Sequence, residues 1–217
     1  MSESTPDIII WDMGGIMYRF FTELMLEVGK RQGWPLSHLP LGPTGPGADP
    51  FYLQMDRGEM TEPEYLRCIT SALAKEGIEF APYEDLDFST GERIQTWGVI
   101  EHLKVAGFRQ ALLTNDASAW LGNNWWEKWP HVHLFEQVID VKSVGVRKPA
   151  PEPYLACVEA LRCEPKDCLF IDDMHANCRG AEAVGMQSFW FDIRDPEGSM
   201  EKLQLVLGVE PYMNKKS

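Results

Sequence analysis

The apolar positions of this chain fall into two textures. Asp7-Ile8-Ile9-Ile10-Trp11 is a short apolar run that stops at Asp12-Met13-Gly14-Gly15. A run that is apolar at successive positions predicts a strand covered on both faces. Helical spacing follows, with Phe21, Leu24, Met25 and Val28 predicting a helix between Phe20 and Gly33. The Pro/Gly-rich stretch from Leu39 to Pro50 predicts a long loop. Thr61-Glu62-Pro63-Glu64 is a capping-box pattern and predicts a helix running to about Ala74. Residues 17–88 therefore read as a helical insert.

Beyond about residue 90, strands and helices alternate. A helix through Ile94, Val99, Ile100 and Leu103 ends at Gly107. Predicted strands cover Gln110–Thr114, Gln137–Asp140, Cys168–Ile171 and Ser188–Phe191. Predicted helices cover 152–162 and Ala176–Val184. This alternation predicts an α/β fold, a parallel sheet with helices on both faces. The core is expected in residues 1–16 and 89–217, with the insert after the first strand.

The polar residues gather where these strands end: Asp12, Thr114-Asn115 and Asp172-Asp173. In an open α/β sheet those ends form one rim, the usual place for a ligand. Lys148 reaches the same rim from a loop. Three crowded carboxylates repel unless a cation lies among them, and an oxygen-only donor set suits Mg²⁺. Lysine and threonine beside such an ion suit a bound phosphate. A carboxylate such as Asp12 can attack phosphorus to form an aspartyl-phosphate.

Charge narrows the partners. The chain has 217 residues and a formal net charge of −13, which disfavours a nucleic-acid partner. No apolar run approaches the roughly 20 residues of a membrane span. MSESTPD has no basic character of the kind that opens a secretory signal. The five cysteines lack zinc-type spacing and read as free thiols in a reducing compartment. The expectation is a cytoplasmic protein, monomeric or homodimeric, acting on a small phosphorylated metabolite.

Four segments, in order, resemble the motifs of the haloacid dehalogenase (HAD) superfamily. They are Ile9-Ile10-Trp11-Asp12-Met13-Gly14-Gly15, Leu112-Leu113-Thr114-Asn115, Gly145-Val146-Arg147-Lys148-Pro149-Ala150-Pro151-Glu152-Pro153-Tyr154, and Phe170-Ile171-Asp172-Asp173-Met174-His175-Ala176-Asn177. The resemblance implies a Rossmann-like core with a helical C1-type cap at 17–88. Arg57–Tyr65 is also similar to a stretch of such caps. It further implies Asp12 as nucleophile and the Gly14 carbonyl, Asp12, Asp172 and Asp173 as Mg²⁺ ligands. Thr114, Lys148 and the Asn115 backbone amide would be the phosphate binders.

One position departs from the family pattern. Its phosphatases usually carry a second Asp two residues after the nucleophile, as proton shuttle, and here that position is Gly14. General acid–base help is typically worth about 10²–10⁴-fold. Two alternatives stand beside a phosphatase: a haloacid dehalogenase-like enzyme, whose halide leaves without a proton, and a non-catalytic binding protein with the same fold. Paired Asp172-Asp173 opposes the first, because haloacid dehalogenases use no metal. Tyr18 is a candidate substitute acid from the cap, whereas His175 reads as an exposed helix-start residue. Arg147 is expected in a structural ion pair, and Asn177 in tying down the site loop or capping a helix. Trp120, Trp125, Trp126 and Trp129 read as packing under a loop, with a self-association surface as the second reading, and His131 and His133 are assigned no metal.

Overall fold

The computed structural model describes residues 6–36, 41–45, 49–115 and 117–212. Five parallel strands form one sheet: β1 (Ile8–Trp11), β2 (Arg109–Thr114), β3 (Gln137–Asp140), β4 (Cys168–Asp172) and β5 (Gln187–Trp190). Their order is β3-β2-β1-β4-β5. β1 is thus central, with Ile8 beside Arg109 of β2 and Cys168 of β4. Its four residues are all buried, as its unbroken apolar run requires.

Successive side chains of β1 enter two different cores, the period-2 alternation of a strand. Ile9 and Trp11 join one cluster with Phe21, Tyr65 and Ile100, while Ile8 and Ile10 join another with Tyr154, Leu161 and Ala181. Gln110, polar and buried, is accommodated by pairing: it accepts from the Trp11 indole at 2.9 Å and donates to the Ile100 carbonyl at 3.0 Å.

Between β1 and β2 lie α1 (Phe21–Gln32), α2 (Pro50–Asp56), α3 (Glu62–Lys75), α4 (Pro82–Asp85) and α5 (Ile94–Val105). The α1 helix ends at Gly33, whose φ of 71° suits a left-handed cap. The capping box at Thr61 forms as its spacing predicts, with Thr61 N–H donating to Glu64 at 2.8 Å. Helix α2 is not foreseen by the loop reading of 39–50. Asp49 creates it: buried, it accepts from Phe51 and Tyr52 N–H as N-cap, from Gly42 N–H, and from the Tyr65 hydroxyl at 2.5 Å. The remainder of that loop, residues 39–40 and 46–48, lies outside the described residues.

The second half carries α6 (Ala117–Leu121), α7 (Val141–Val144), α8 (Pro151–Leu161), α9 (His175–Ala183) and α10 (Pro196–Val206). Trp125 and Trp129 are buried in the larger core, with Trp120 and Trp126 packed against it. The tryptophan cluster is packing, as expected. All five cysteines are free thiols, three of them buried. No helix among the described residues is long and apolar enough to cross a membrane.

Candidate active site

Parallel pairing places the C-terminal ends of β1, β2 and β4 side by side. Asp12 follows β1, Thr114 closes β2, and Asp172 closes β4 with Asp173 next. All four are buried, together with Lys148. Lys148 comes from the loop between α7 and α8. Its ammonium donates to Asp12 Oδ1 at 2.7 Å, Asp172 Oδ2 at 2.8 Å and the Leu113 carbonyl at 3.0 Å. Three protons thus meet three acceptors. Burial disfavours the charged amine, but Asp12 and Asp172 outweigh it and raise Lys148 above the ordinary lysine value.

The carboxylates differ in how they are held. Asp172 accepts from Met174 N–H at 2.8 Å and from the Asn177 amide at 3.0 Å on each oxygen, in addition to Lys148. Asn177 therefore does tie down the rim. Asp173 Oδ2 is buried with no hydrogen-bond partner. Burial, then the charges of Asp172 and Asp12, raise Asp173 well above the usual carboxylate range. Asp12 is pushed up to about 7, chiefly by burial, with Lys148 opposing and Asp172 adding to the rise.

Ligand oxygens from Asp12, Asp172 and Asp173 lie within 4.8 Å of one another. Three hard oxygens, one lacking any protein partner, are the donor set of a Mg²⁺ site. Gly15 makes room for it. Its φ is 75°, and a Cβ there would stand 2.7 Å from the Asp173 carboxyl group. Gly14 is not constrained in this way: a Cβ on it meets nothing within 4 Å.

Two cavities open over this rim, of about 130 and about 60 Å³. Asp12, Gly14, Phe20, Glu62 and Asn115 line both. Lys148 and Asp173 face the larger and Thr114 the smaller. Asp12, Gly14, Thr114, Asn115, Lys148 and Asp173 thus border these cavities, and Asp172, fully buried, lines neither but is bound to Lys148. Arg147 lines the larger cavity as well. The Asn115 side chain has a part that its motif does not suggest: Oδ1 accepts from Lys148 N–H at 2.9 Å and Nδ2 donates to the Lys148 carbonyl at 3.3 Å. This amide-to-peptide pairing sets the lysine backbone.

Tyr18 is not where a substitute acid must be. Its buried hydroxyl accepts from the Trp129 indole at 2.9 Å and donates to Glu92 at 3.2 Å, and it lines neither cavity. Burial pushes it up to about 12. Core packing among Phe88 and Trp97 has claimed the ring. His175 is exposed, as expected, and lines neither cavity; its N–H and Nδ1 meet Asp56 at 2.7 and 2.9 Å. Glu62 went unnoticed in the sequence because it looks like an ordinary first-turn acid. Its Oε1 accepts from the Trp120 indole at 2.9 Å.

Residues 83–185 match the haloacid dehalogenase-like hydrolase family. The match covers just under half of the chain. Among curated relatives, mouse acyl-CoA dehydrogenase family member 10 is 23% identical over 215 residues, 92% of this chain and 19% of that protein. Glyceraldehyde 3-phosphate phosphatase of Pyrococcus abyssi is 29% identical over 99 residues, 43% of this chain and 39% of that enzyme. The chain thus spans about a fifth and about two fifths of these relatives. The magnesium-bound HAD-hydrolase YfnB of Bacillus subtilis superposes with a TM-score of 0.64 at 16% identity, covering 87% of this chain and 88% of that one. At that identity the likeness concerns the fold alone.

Proposed function

We propose that the chain is a Mg²⁺-dependent phosphatase of small phosphorylated metabolites. One observation carries this reading: a buried carboxylate oxygen of Asp173 without a protein partner, beside Asp12 and the Lys148 clamp. A buried unpaired acid is costly unless a cation meets it. The halide displacement of a dehalogenase needs no cation, and a passive binding protein has no use for a clamped nucleophile. The phosphatase named among the relatives points the same way.

Asp12, Asp172, Asp173 and the Gly14 carbonyl are the groups that would hold Mg²⁺. When bound, the ion supplies positive charge that keeps these acids ionised and neutralises phosphoryl oxygens. Lys148 fixes Asp12 through Oδ1 and aims it into the cavities. The Asp12 carboxylate attacks phosphorus as the bond to the leaving oxygen breaks, giving an aspartyl-phosphate. Water then attacks phosphorus, and the bond to Asp12 breaks to release phosphate. The Thr114 hydroxyl and Asn115 N–H hold phosphate oxygens, and Lys148 exchanges one of its present acceptors for another. The helical segment 17–88, which forms the opposite wall through Phe20, Met55 and Glu62, acts as the cap that admits the substrate.

The test is hydrolysis of an aryl phosphate with Mg²⁺ and with excess chelator, by wild type and Asp12→Asn. The expected result is turnover only with the metal and a loss of at least about 10³-fold in the variant. Hydrolysis undiminished in chelator, or release of halide from a 2-haloacid, would reject the phosphatase.

A further inference from the structure

We propose that the substrate is a phosphate monoester whose leaving group is apolar and the size of one aromatic ring, not a sugar or a nucleoside; the proposal rests on the phosphatase reading and names the substrate class of that site. The two cavities divide by chemistry. At their reacting end stand Asp12, Thr114, Asn115, Lys148 and Asp173, which suit a phosphoryl group and its cation. Beyond that end the larger cavity is walled by Phe20, Met55, Met60, Pro149 and Met174, and the smaller by Phe20, Phe21, Phe88 and Trp120.

The smaller cavity presents a preformed aromatic surface. The Trp120 ring stacks with Phe21 at 5.9 Å and with Phe88 at 5.5 Å between centroids, each at 22°. Its indole N–H donates to Glu62 at 2.9 Å, which fixes the orientation of the ring. Aromatic rings pack against one another in offset or edge-on arrangements, so a ring on the leaving group has a ready partner here. In the larger cavity the three methionines offer flexible, polarisable surface that adapts to an apolar shape.

The polar side chains on these walls are already engaged. Thr61 Oγ1 donates to Glu64 at 2.7 Å, Glu62 accepts from Trp120, and Arg147 is itself partnered within the chain. A sugar or glycerol moiety would bring hydroxyls out of water and against walls with few groups to answer them, which costs affinity. Size agrees with an apolar ring: the larger cavity is about 130 Å³, and an engineered apolar cavity of roughly 150 Å³ takes up benzene.

The experiment compares kcat/KM for phenethyl phosphate and for the primary phosphate ester of glycerol, with saturating Mg²⁺. Both release a primary alcohol, so the chemistry at phosphorus is alike and the ratio reads the walls. The aromatic ester is expected to lead by about 10–100-fold, the effect of burying one ring-sized apolar group. Competition by phenethylphosphonate and by methylphosphonate against aryl phosphate hydrolysis reads the same preference as binding, since neither phosphonate can be hydrolysed. Phenethylphosphonate is expected to bind at least about 10-fold more tightly. Met60→Gln matches methionine in length and adds an amide to the wall, and Trp120→Leu removes the aromatic surface. At least one of them is expected to narrow the aromatic lead about 3-fold or more. A wild-type lead below about 10-fold, equal inhibition by the two phosphonates, or a lead that neither variant narrows overturns the proposal. Should only the aryl phosphate turn over, the phosphonate competition decides alone. Wild type that hydrolyses none of the three esters sinks the phosphatase itself, whereas a preference for the glycerol ester leaves the phosphatase standing and sinks the substrate class.

Discussion

The two walls of the same cavities are built on different principles. The strand-end wall is built on Asp12, Lys148, Asp172 and Asp173, all buried; Lys148 ties Asp12 to Asp172, whereas Asp173 Oδ2 has no protein partner. The helical wall is Phe20, Met55, Met60 and Phe88, with Glu62 as its carboxylate. Charges in a dry site must be matched group by group, so the first wall tolerates few residue types. Apolar contacts are non-directional, and many side chains of similar volume fill the second equally well. Under the proposed function, the nucleophile and cation site belong to the wall with little freedom and substrate choice to the wall with much.

Lys148→Met tests this contrast most severely. It leaves Asp12 and Asp172 buried face to face with no cation. The expected cost in metal-free buffer is about 3–5 kcal/mol in denaturant unfolding, with Mg²⁺ restoring part of it and activity lost. Met55→Leu is a change of similar modesty on the other wall. It should cost under about 1.5 kcal/mol and alter relative rates among phosphorylated substrates instead. If Lys148→Met melts with wild type in metal-free buffer, the strand-end wall is no more constrained than the helical one.

The pH dependence of stability is a smaller effect with a definite sign. Burial raises Asp12 to about 7 and Asp173 well above 3.8 in the folded chain. Unfolded carboxyls return to about 3.9. Between those limits the folded state binds more protons, so these groups stabilise the metal-free protein fully below about pH 4 and lose that contribution as pH rises through about 7. The metal-free melting temperature should fall from pH 5 to pH 8 by more in wild type than in Asp173→Asn. Saturating Mg²⁺ binds only the ionised site and should shrink or reverse the fall. A slope identical in the two proteins would mean that Asp173 is not held protonated by its surroundings.

The sequence is legible where the physics is local or where charge forces a partner. The apolar run of β1 is readable because a central parallel strand is covered on both faces, and Asp12, Thr114 and Asp172 because strand ends meet at one rim. The capping box announces the start of α3. Helix α2 escapes because its support is tertiary: Asp49 gathers Gly42 N–H, two helix N–H groups and the Tyr65 hydroxyl, and no window of sequence shows that convergence. Tyr18 is a plausible acid on sequence alone and a structural hydroxyl in the fold, because Trp129 and Glu92 reach it from distant segments. Glu62 fails the other way, as a helix-start acid whose second property is the cavity it borders.

The smallest expected effect separates two adjacent glycines. Both lie in the turn after Asp12, and the sequence alone does not say which of them the turn requires. Gly15 has φ 75° and would drive a Cβ to 2.7 Å from the Asp173 carboxyl group, whereas Gly14 has open space. Gly15→Ala should therefore cost more than about 1 kcal/mol, from the backbone alone, and should weaken Mg²⁺ binding by displacing Asp173. Gly14→Ala should stay within about 0.5 kcal/mol of wild type, with Mg²⁺ affinity unchanged because the carbonyl at 14 is main chain. Thermal melts and metal titrations of the two variants decide the matter. If Gly14→Ala proves as damaging as Gly15→Ala, the space at position 14 is not open in solution, and a carboxylate there could not have been accommodated. Should only Gly15→Ala be damaging, the turn permits a side chain at 14, and the proton shuttle is absent from that position for a reason other than sterics.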